Sequence, residues 1–173
     1  GRYTASTGLS TACSKCPPGL YQSEFSQTAC YECIPGQFAD AMESYACGEC
    51  PSGRFADKVG WNTTCDKCPT GWYQNKIGQA SCLACAQGKY SDSVTSTECI
   101  QCERNFFANA TGLHRCFACG TGNWTNGLEG MPHCTVCPAG KAAHDRPLPM
   151  HNTTNVNPPQ RCVPASGCQD CAL

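Results

Sequence analysis

Charge is scarce in this chain: 12 Lys and Arg stand against 13 Asp and Glu, 14% of 173 residues, for a formal net charge of −1. The basic residues form no cluster, which argues against nucleic acid and against an anionic membrane surface as partners. No run approaches the ~20 apolar residues that cross a bilayer. The opening stretch GRYTASTGLST is polar and has no apolar signal-peptide core, so any leader is expected to have been removed or excluded. Catalytic signatures are missing as well: there is no phosphate loop, no nucleophile elbow and no HExxH. His114, His133, His144 and His151 are scattered and read as surface or packing residues. Asp40, Glu43, Asp57 and Asp92 read as solvated turn residues, since their loops lack the ligand density of a calcium site. We therefore expect no catalytic residue, no metal site and no cofactor.

Cysteine is what the chain has in excess. Of 19 cysteines, sixteen fall in eight evenly spaced CxxC pairs: Cys13/Cys16, Cys30/Cys33, Cys47/Cys50, Cys65/Cys68, Cys82/Cys85, Cys99/Cys102, Cys116/Cys119 and Cys134/Cys137. The step from pair to pair is 17 residues, twice 18, and a fixed period of that kind marks a tandem array. Such a cysteine density belongs to a disulfide scaffold, and disulfides persist in oxidising compartments. The spacing CxxC-x13-CxxC is also near that of a zinc ribbon. A zinc array would keep one spacing within each site and a freer linker between sites, whereas here the two gaps are the same. A single redox CxxC beside a βαβ pattern fits no better.

Inside this frame each repeat carries a second pattern. Three residues after the second cysteine come Gly19, Gly36, Gly53, Gly71, Gly88, Asn105, Gly122 and Gly140, a position that must tolerate positive φ. Two residues further come Tyr21, Phe38, Phe55, Tyr73, Tyr90, Phe107 and Trp124, with Ala142 in the last repeat. Most repeats add an apolar residue at the ninth place after the cysteine: Phe25, Met42, Val59, Ile77, Val94 and Leu128, but Thr111 in one. A 17-residue repeat cannot bury enough surface to fold alone, so its ring is expected to pack on a disulfide and on the next repeat. The expected fold is small and disulfide-rich, an elongated linear array of short β-loop repeats with little or no helix.

The segments CSKCPPGLYQSEFSQTAC, CGECPSGRFADKVGWNTTC and CDKCPTGWYQNKIGQASC resemble the ephrin-receptor-like cysteine-rich repeat, CxxCPxGxYxxxxGxxxC. The loop is also similar to the single-disulfide module of tumour-necrosis-factor receptors. Repeats of this type occur in extracellular surface and appendage proteins. The resemblance implies a ladder in which the second cysteine of one pair bonds the first of the next. The links would be Cys16–Cys30, Cys33–Cys47, Cys50–Cys65, Cys68–Cys82, Cys85–Cys99, Cys102–Cys116, Cys119–Cys134 and Cys137–Cys162. Cys13, Cys168 and Cys171 are then left unpaired or intermolecular. An interlocked scheme, first to first and second to second, stays open on spacing alone. Because the spare cysteines fall at opposite ends of the chain, one expectation is a head-to-tail filament joined from Cys13 to Cys168 or Cys171 of another copy. A preceding segment bonded to Cys13 is the other.

We divide the sequence into an N-terminal extension (1–12), the tandem repeats (13–137) and an irregular Pro- and Asn-rich loop with a terminal cysteine segment (138–173). N-glycosylation sequons stand at Asn62, Asn109, Asn123 and Asn152. Arg54, Arg104, Arg115, Arg146 and Arg161 do not gather in the sequence, and no loop pair carries an exposed aromatic and Arg cluster of the kind that dominates binding interfaces. Uniform repeats with sequons suggest a secreted structural glycoprotein that forms or decorates an extracellular filament, coat or appendage. Its partners would be further copies or other extracellular proteins, and N-linked glycans. The alternative is a ligand-binding or adhesion ectodomain of a cell-surface receptor.

Overall fold

A computed structural model describes residues 1–4 and 13–138, with the backbone of 141–143 and 168–170. Its regular structure is nine antiparallel two-stranded sheets, and no helix occurs among the described residues. The two middle residues of a CxxC pair form one strand, and the residue after the repeat glycine together with the aromatic forms the other. Thus Leu20–Tyr21 pairs with Tyr31–Glu32, in the register Leu20↔Glu32 and Tyr21↔Tyr31. Trp72–Tyr73 and Leu83–Ala84 repeat that register. Strands of two residues are marginal by themselves, so a covalent link stands beside each.

The links are Cys16–Cys30, Cys33–Cys47, Cys50–Cys65, Cys68–Cys82, Cys102–Cys116 and Cys119–Cys134. Each is a ladder link, second cysteine to first cysteine of the following pair, closing 14 or 15 residues. Cys85, Cys99 and Cys137 are also disulfide-bonded. The pairing of Cys162 lies outside the described residues.

The repeat glycine is left-handed where a turn demands it: Gly36 has φ +88° and Gly53 +77°. Asn105 holds the same place at +65°, which explains why Asn is the one substitute there. A second left-handed residue lies at each loop tip, even where it is Ser26 (+60°), Glu43 (+62°) or Thr95 (+66°). The tip N–H donates to the carbonyl of the second cysteine one repeat earlier: Glu43 to Cys16, Gly60 to Cys33 and Gly78 to Cys50, each at 2.8 Å. The repeat glycine N–H donates forward, Gly19 to Ala39 at 2.7 Å and Gly36 to Ala56 at 2.8 Å. Neighbouring repeats are therefore joined by backbone hydrogen bonds, independent of side-chain identity.

Little apolar surface is buried. Among the described residues the buried apolar side chains are cysteines and alanines, including Cys16, Cys33, Cys50, Ala39, Ala56 and Ala108. The residue after each aromatic is buried throughout, including polar Gln22, Gln74, Ser91 and Thr125. Each aromatic is half-buried, and Phe38 and Trp61 pack on Cys50, Ala56 and Cys65. The further apolar residue of each repeat points outward instead: Phe25 is 91% exposed and Ile77 60%.

Contacts divide the chain into two compact blocks, Gly1–Ala84 with Ser91–Cys99, and Cys85–Tyr90 with Ile100–Leu173. The stretch read as an N-terminal extension contains a strand of the array, since Arg2–Tyr3 pairs with Ser14–Lys15. Within the stretch read as irregular, Lys141–Ala143 pairs with Cys168–Asp170. Polar composition concealed both, because the pairing runs through the backbone.

Candidate interaction surfaces

Two surfaces stand out. In the first block an ionic cluster closes the N-terminal edge: Glu43, held at a loop tip, accepts from the Arg2 guanidinium and pairs with Lys15 Nζ at 2.8 Å. The Lys15 ammonium, and after it the Arg2 guanidinium, hold the Glu43 carboxyl below the usual carboxylate range. This explains one acid that composition placed among solvated turn residues. Beside the cluster stands Cys13, exposed and free.

The second surface lies in the other block. Phe107 and Phe117 face each other across a strand pair, ring centroids 6.1 Å apart. The Arg115 guanidinium lies over Phe117 at 5.3 Å from its centroid, within cation–π reach. Next to it, Tyr90, Glu103, Phe106, Arg115 and Cys116 line a recess of about 280 Å³. Phe106 and Phe117 are 40% and 38% exposed. The sequence reading that no loop carries an aromatic and Arg cluster is therefore corrected at Arg115. The signal was the Arg115-Cys116-Phe117 spacing, which puts the guanidinium on the ring that follows it. The other arginines behave differently: Arg54 donates to Cys65 O at 2.8 Å, and Arg104 lies 3.8 Å from Glu129. Arg146 and Arg161 lie outside the described residues.

Asn62 and Asn109 are exposed on loops. Asn123 is half-buried in the strand Asn123–Trp124, and Thr125, the third residue of its sequon, is buried with its hydroxyl accepting the Asn105 N–H at 2.9 Å. Asn152, His144 and His151 lie outside the described residues, while His114 and His133 are exposed. Among the described residues no group of three or more His, Cys, Asp or Glu could hold a metal ion, and no helix is long and apolar enough to cross a membrane.

A family model described as tyrosine-protein kinase ephrin type A/B receptor-like matches residues 1–45, 60–98 and 88–129. The chain belongs to this family. The matches repeat along the array, as the disulfide ladder does, and the first begins at Gly1, within the stretch that looked like an extension. Ephrin-receptor-like repeats are a non-catalytic extracellular type of module. Together with the disulfide ladder they point to an extracellular or cell-surface location. No curated protein matches the chain.

Proposed function

We propose that this chain is a secreted, glycosylated structural protein, without enzymatic activity, that forms or decorates an extracellular filament, coat or appendage by self-association. The observation that carries this reading is the mode of repeat-to-repeat contact. Glu43 to Cys16, Gly60 to Cys33 and Gly78 to Cys50 are the same backbone hydrogen bond, made one repeat further on each time. A contact of that kind propagates without a special side chain, as a polymer requires. Asn62, Asn109 and Asn123 carry the glycans in this reading, Asn62 and Asn109 from exposed loops and Asn123 from a half-buried strand. Mass spectrometry of glycopeptides from the secreted chain checks the assignment.

The Arg115, Phe106 and Phe117 cluster favours a second reading, a ligand-binding or adhesion ectodomain. Electron microscopy of purified native material, with and without reductant, separates the two. Filaments support the structural reading. Monomers at every concentration sink it and leave the receptor reading.

A further inference from the structure

In one loop the repeat pattern breaks on the surface. The place just before the closing cysteine holds Ala29, Ala46, Thr64 and Ser81 in the first four loops, but Arg115 in the loop from Cys102 to Cys116. The place just after the opening cysteine holds Pro17, Ile34, Pro51 and Pro69, but here Glu103. No other loop from Cys16 to Cys134 carries an acid and a base at these two places. Neither change serves the frame, since Phe106↔Ala118 and Phe107↔Phe117 keep the register of the other strand pairs and Cys102–Cys116 is a ladder link like the rest. Both residues are exposed. The turn after Cys102 sets Glu103 beside Phe106, whose N–H donates to the Glu103 carbonyl at 3.0 Å. The Phe117 ring, 5.3 Å from the Arg115 guanidinium, holds that group at the rim. Tyr90 comes from the strand Lys89–Tyr90 of the repeat before, so the recess of about 280 Å³ opens between two successive repeats of one block.

The two charges do not neutralise each other. Among the described residues neither Glu103 nor Arg115 has an ion pair, whereas the neighbouring Arg104 lies 3.8 Å from Glu129. A recess with one free cation and one free anion selects against charged ligands: an anion drawn to Arg115 meets Glu103, and a cation drawn to Glu103 meets Arg115. A purely apolar ligand would strip water from both charges and leave them unpaired. A zwitterion would form its ion pairs in an open, hydrated place, where such pairs contribute little. Hydroxyls behave differently. The ionised Glu103 carboxylate only accepts and the Arg115 guanidinium only donates, while a hydroxyl does both. Hydroxyls on adjacent carbons therefore satisfy the two groups together, through charge-assisted hydrogen bonds. The rest of the lining calls for an apolar face: Phe106 is 40% exposed and Tyr90 half-buried, and the negative faces of such rings suit C–H groups. A pyranose has hydroxyls at its rim and C–H groups on its face. The recess falls just short of the ~300 Å³ at which pockets for drug-sized ligands begin, which leaves room for one such ring.

We propose that this recess binds one neutral pyranose ring of a saccharide. Phe106 and Tyr90 take its C–H face, its hydroxyls donate to Glu103 and accept from Arg115, and Phe117 positions the guanidinium. The site goes beyond the self-associating reading and does not need it, because a single chain carries the whole recess. The saccharide is either a glycan of this protein or a separate carbohydrate, and the recognising chemistry is the same for both.

The test is a titration of the full, oxidised chain with its glycans enzymatically removed, followed by the ring-proton NMR signals of Tyr90 and Phe106. The probes are the methyl pyranosides of glucose, galactose, mannose and N-acetylglucosamine. The best binder is then compared with its forms carrying a carboxylate or an amine at C6, and with cyclohexanol and phenylalanine. Saturable binding of a neutral pyranoside in the millimolar range is expected, as suits a ligand of about a dozen heavy atoms on an open site. The charged forms and both controls should bind about tenfold more weakly or not at all. Arg115→Ala, which restores the residue found at that place in two other repeats, should weaken binding about tenfold with an unchanged disulfide map. Glu103→Gln should admit the carboxylate form about tenfold better than the natural chain does, a reversal that loss of structure cannot produce. The proposal is overturned by three results: no pyranoside binding, a charged form or control bound as tightly as the neutral sugar, or a Glu103→Gln chain that still rejects the carboxylate. The chain with its glycans intact identifies the source. Added sugar excluded at every dilution means a glycan of the same copy fills the recess, and exclusion lost on dilution means a glycan of another copy. Equal binding with and without glycans means a separate saccharide. Since the readout is occupancy of one chain, its failure leaves the filament reading standing, and monomers in the microscope leave the sugar site standing.

Discussion

Gly36 lies directly under the carbonyl oxygen of Gly78, two repeats further along, so that a methyl group on Gly36 would overlap that oxygen and come within 3.1 Å of Gln79 N. The Gly78 N–H is tied to Cys50 O at 2.8 Å, so the carbonyl cannot retreat without breaking the link between repeats. Gly36→Ala should cost about 3 kcal/mol, from the left-handed penalty together with a lost hydrogen bond. Gly122 shares the positive φ but has open space about its Cβ position, so Gly122→Ala should cost only about 1 kcal/mol. Denaturant midpoints of the two variants decide the matter, and equal losses would mean that φ alone selects glycine.

Gln74 is buried at a place where Ala56 is buried in another repeat. Its amide donates to Ser81 O at 2.8 Å, and its carbonyl oxygen accepts from the Lys76 N–H at 3.1 Å, so the side chain fills its own loop. Gln74→Ala should lose about 2 kcal/mol by stranding both partners. The reverse change, Ala56→Gln, should cost about as much through overpacking, because Phe38 and Trp61 already fill that space. A neutral outcome in thermal melts for either variant would show that the loops repack freely.

Thr95 holds a β-branched side chain at φ +66°, where most other tips have glycine. The conformation is imposed by its N–H bond to Cys68 O at 3.0 Å. Thr95→Gly should raise stability by about 1 kcal/mol, the left-handed penalty less the backbone entropy of the added glycine. A lower urea midpoint would contradict the imposed strain.

The sequence legibly specified what the covalent frame fixes. A period of 17 residues locates the turn, so Gly53 and even Asn105 were expected at positive φ, and both are there. It was silent where the backbone, rather than residue type, does the joining. Gln22, Ala39, Ser91 and Thr125 share one buried position but no chemical character, so no pattern marked it. Glu43 at a left-handed tip was equally hidden, since its φ is set by Cys16 O in the repeat before. The cluster around Arg115 needed the pairing of Phe107 with Phe117 to bring two rings and a guanidinium together. The pairing of Lys141–Ala143 with Cys168–Asp170 was obscured by the long Pro- and Asn-rich stretch between the two strands.

Glu43 makes the N-terminal edge sensitive to acid. Lys15 and then Arg2 lower its pKa in the folded chain, so its contribution is present above the ordinary Glu pKa and is lost as pH falls through the lowered folded value. Hydrogen-exchange protection at Arg2, Tyr3, Ser14 and Lys15, taken relative to the intrinsic exchange rate at each pH, should therefore fall as the pH drops below the ordinary carboxylate range. Glu43→Gln should show the reduced protection already at pH 7, and with no acid step. An acid step that survives in the variant would assign it to another group.

Reduction should unfold the chain, and the reason lies in what is buried. Among the described residues the fully buried apolar side chains are cysteine and alanine, while Phe25, Met42, Val59 and Val136 are each more than half exposed. Breaking the links leaves two-residue strands with almost no hydrophobic burial to hold them. Each closed loop of about 15 residues also contributes on the order of 3 kcal/mol through the unfolded chain. Reductant should thus bring rapid proteolysis throughout the array, whereas a chelator alone should change nothing. Zinc held by thiolates would give the opposite pair of results: loss of structure with the chelator, and no need for an oxidant on refolding. Limited proteolysis in the two reagents separately distinguishes covalent staples from metal ones.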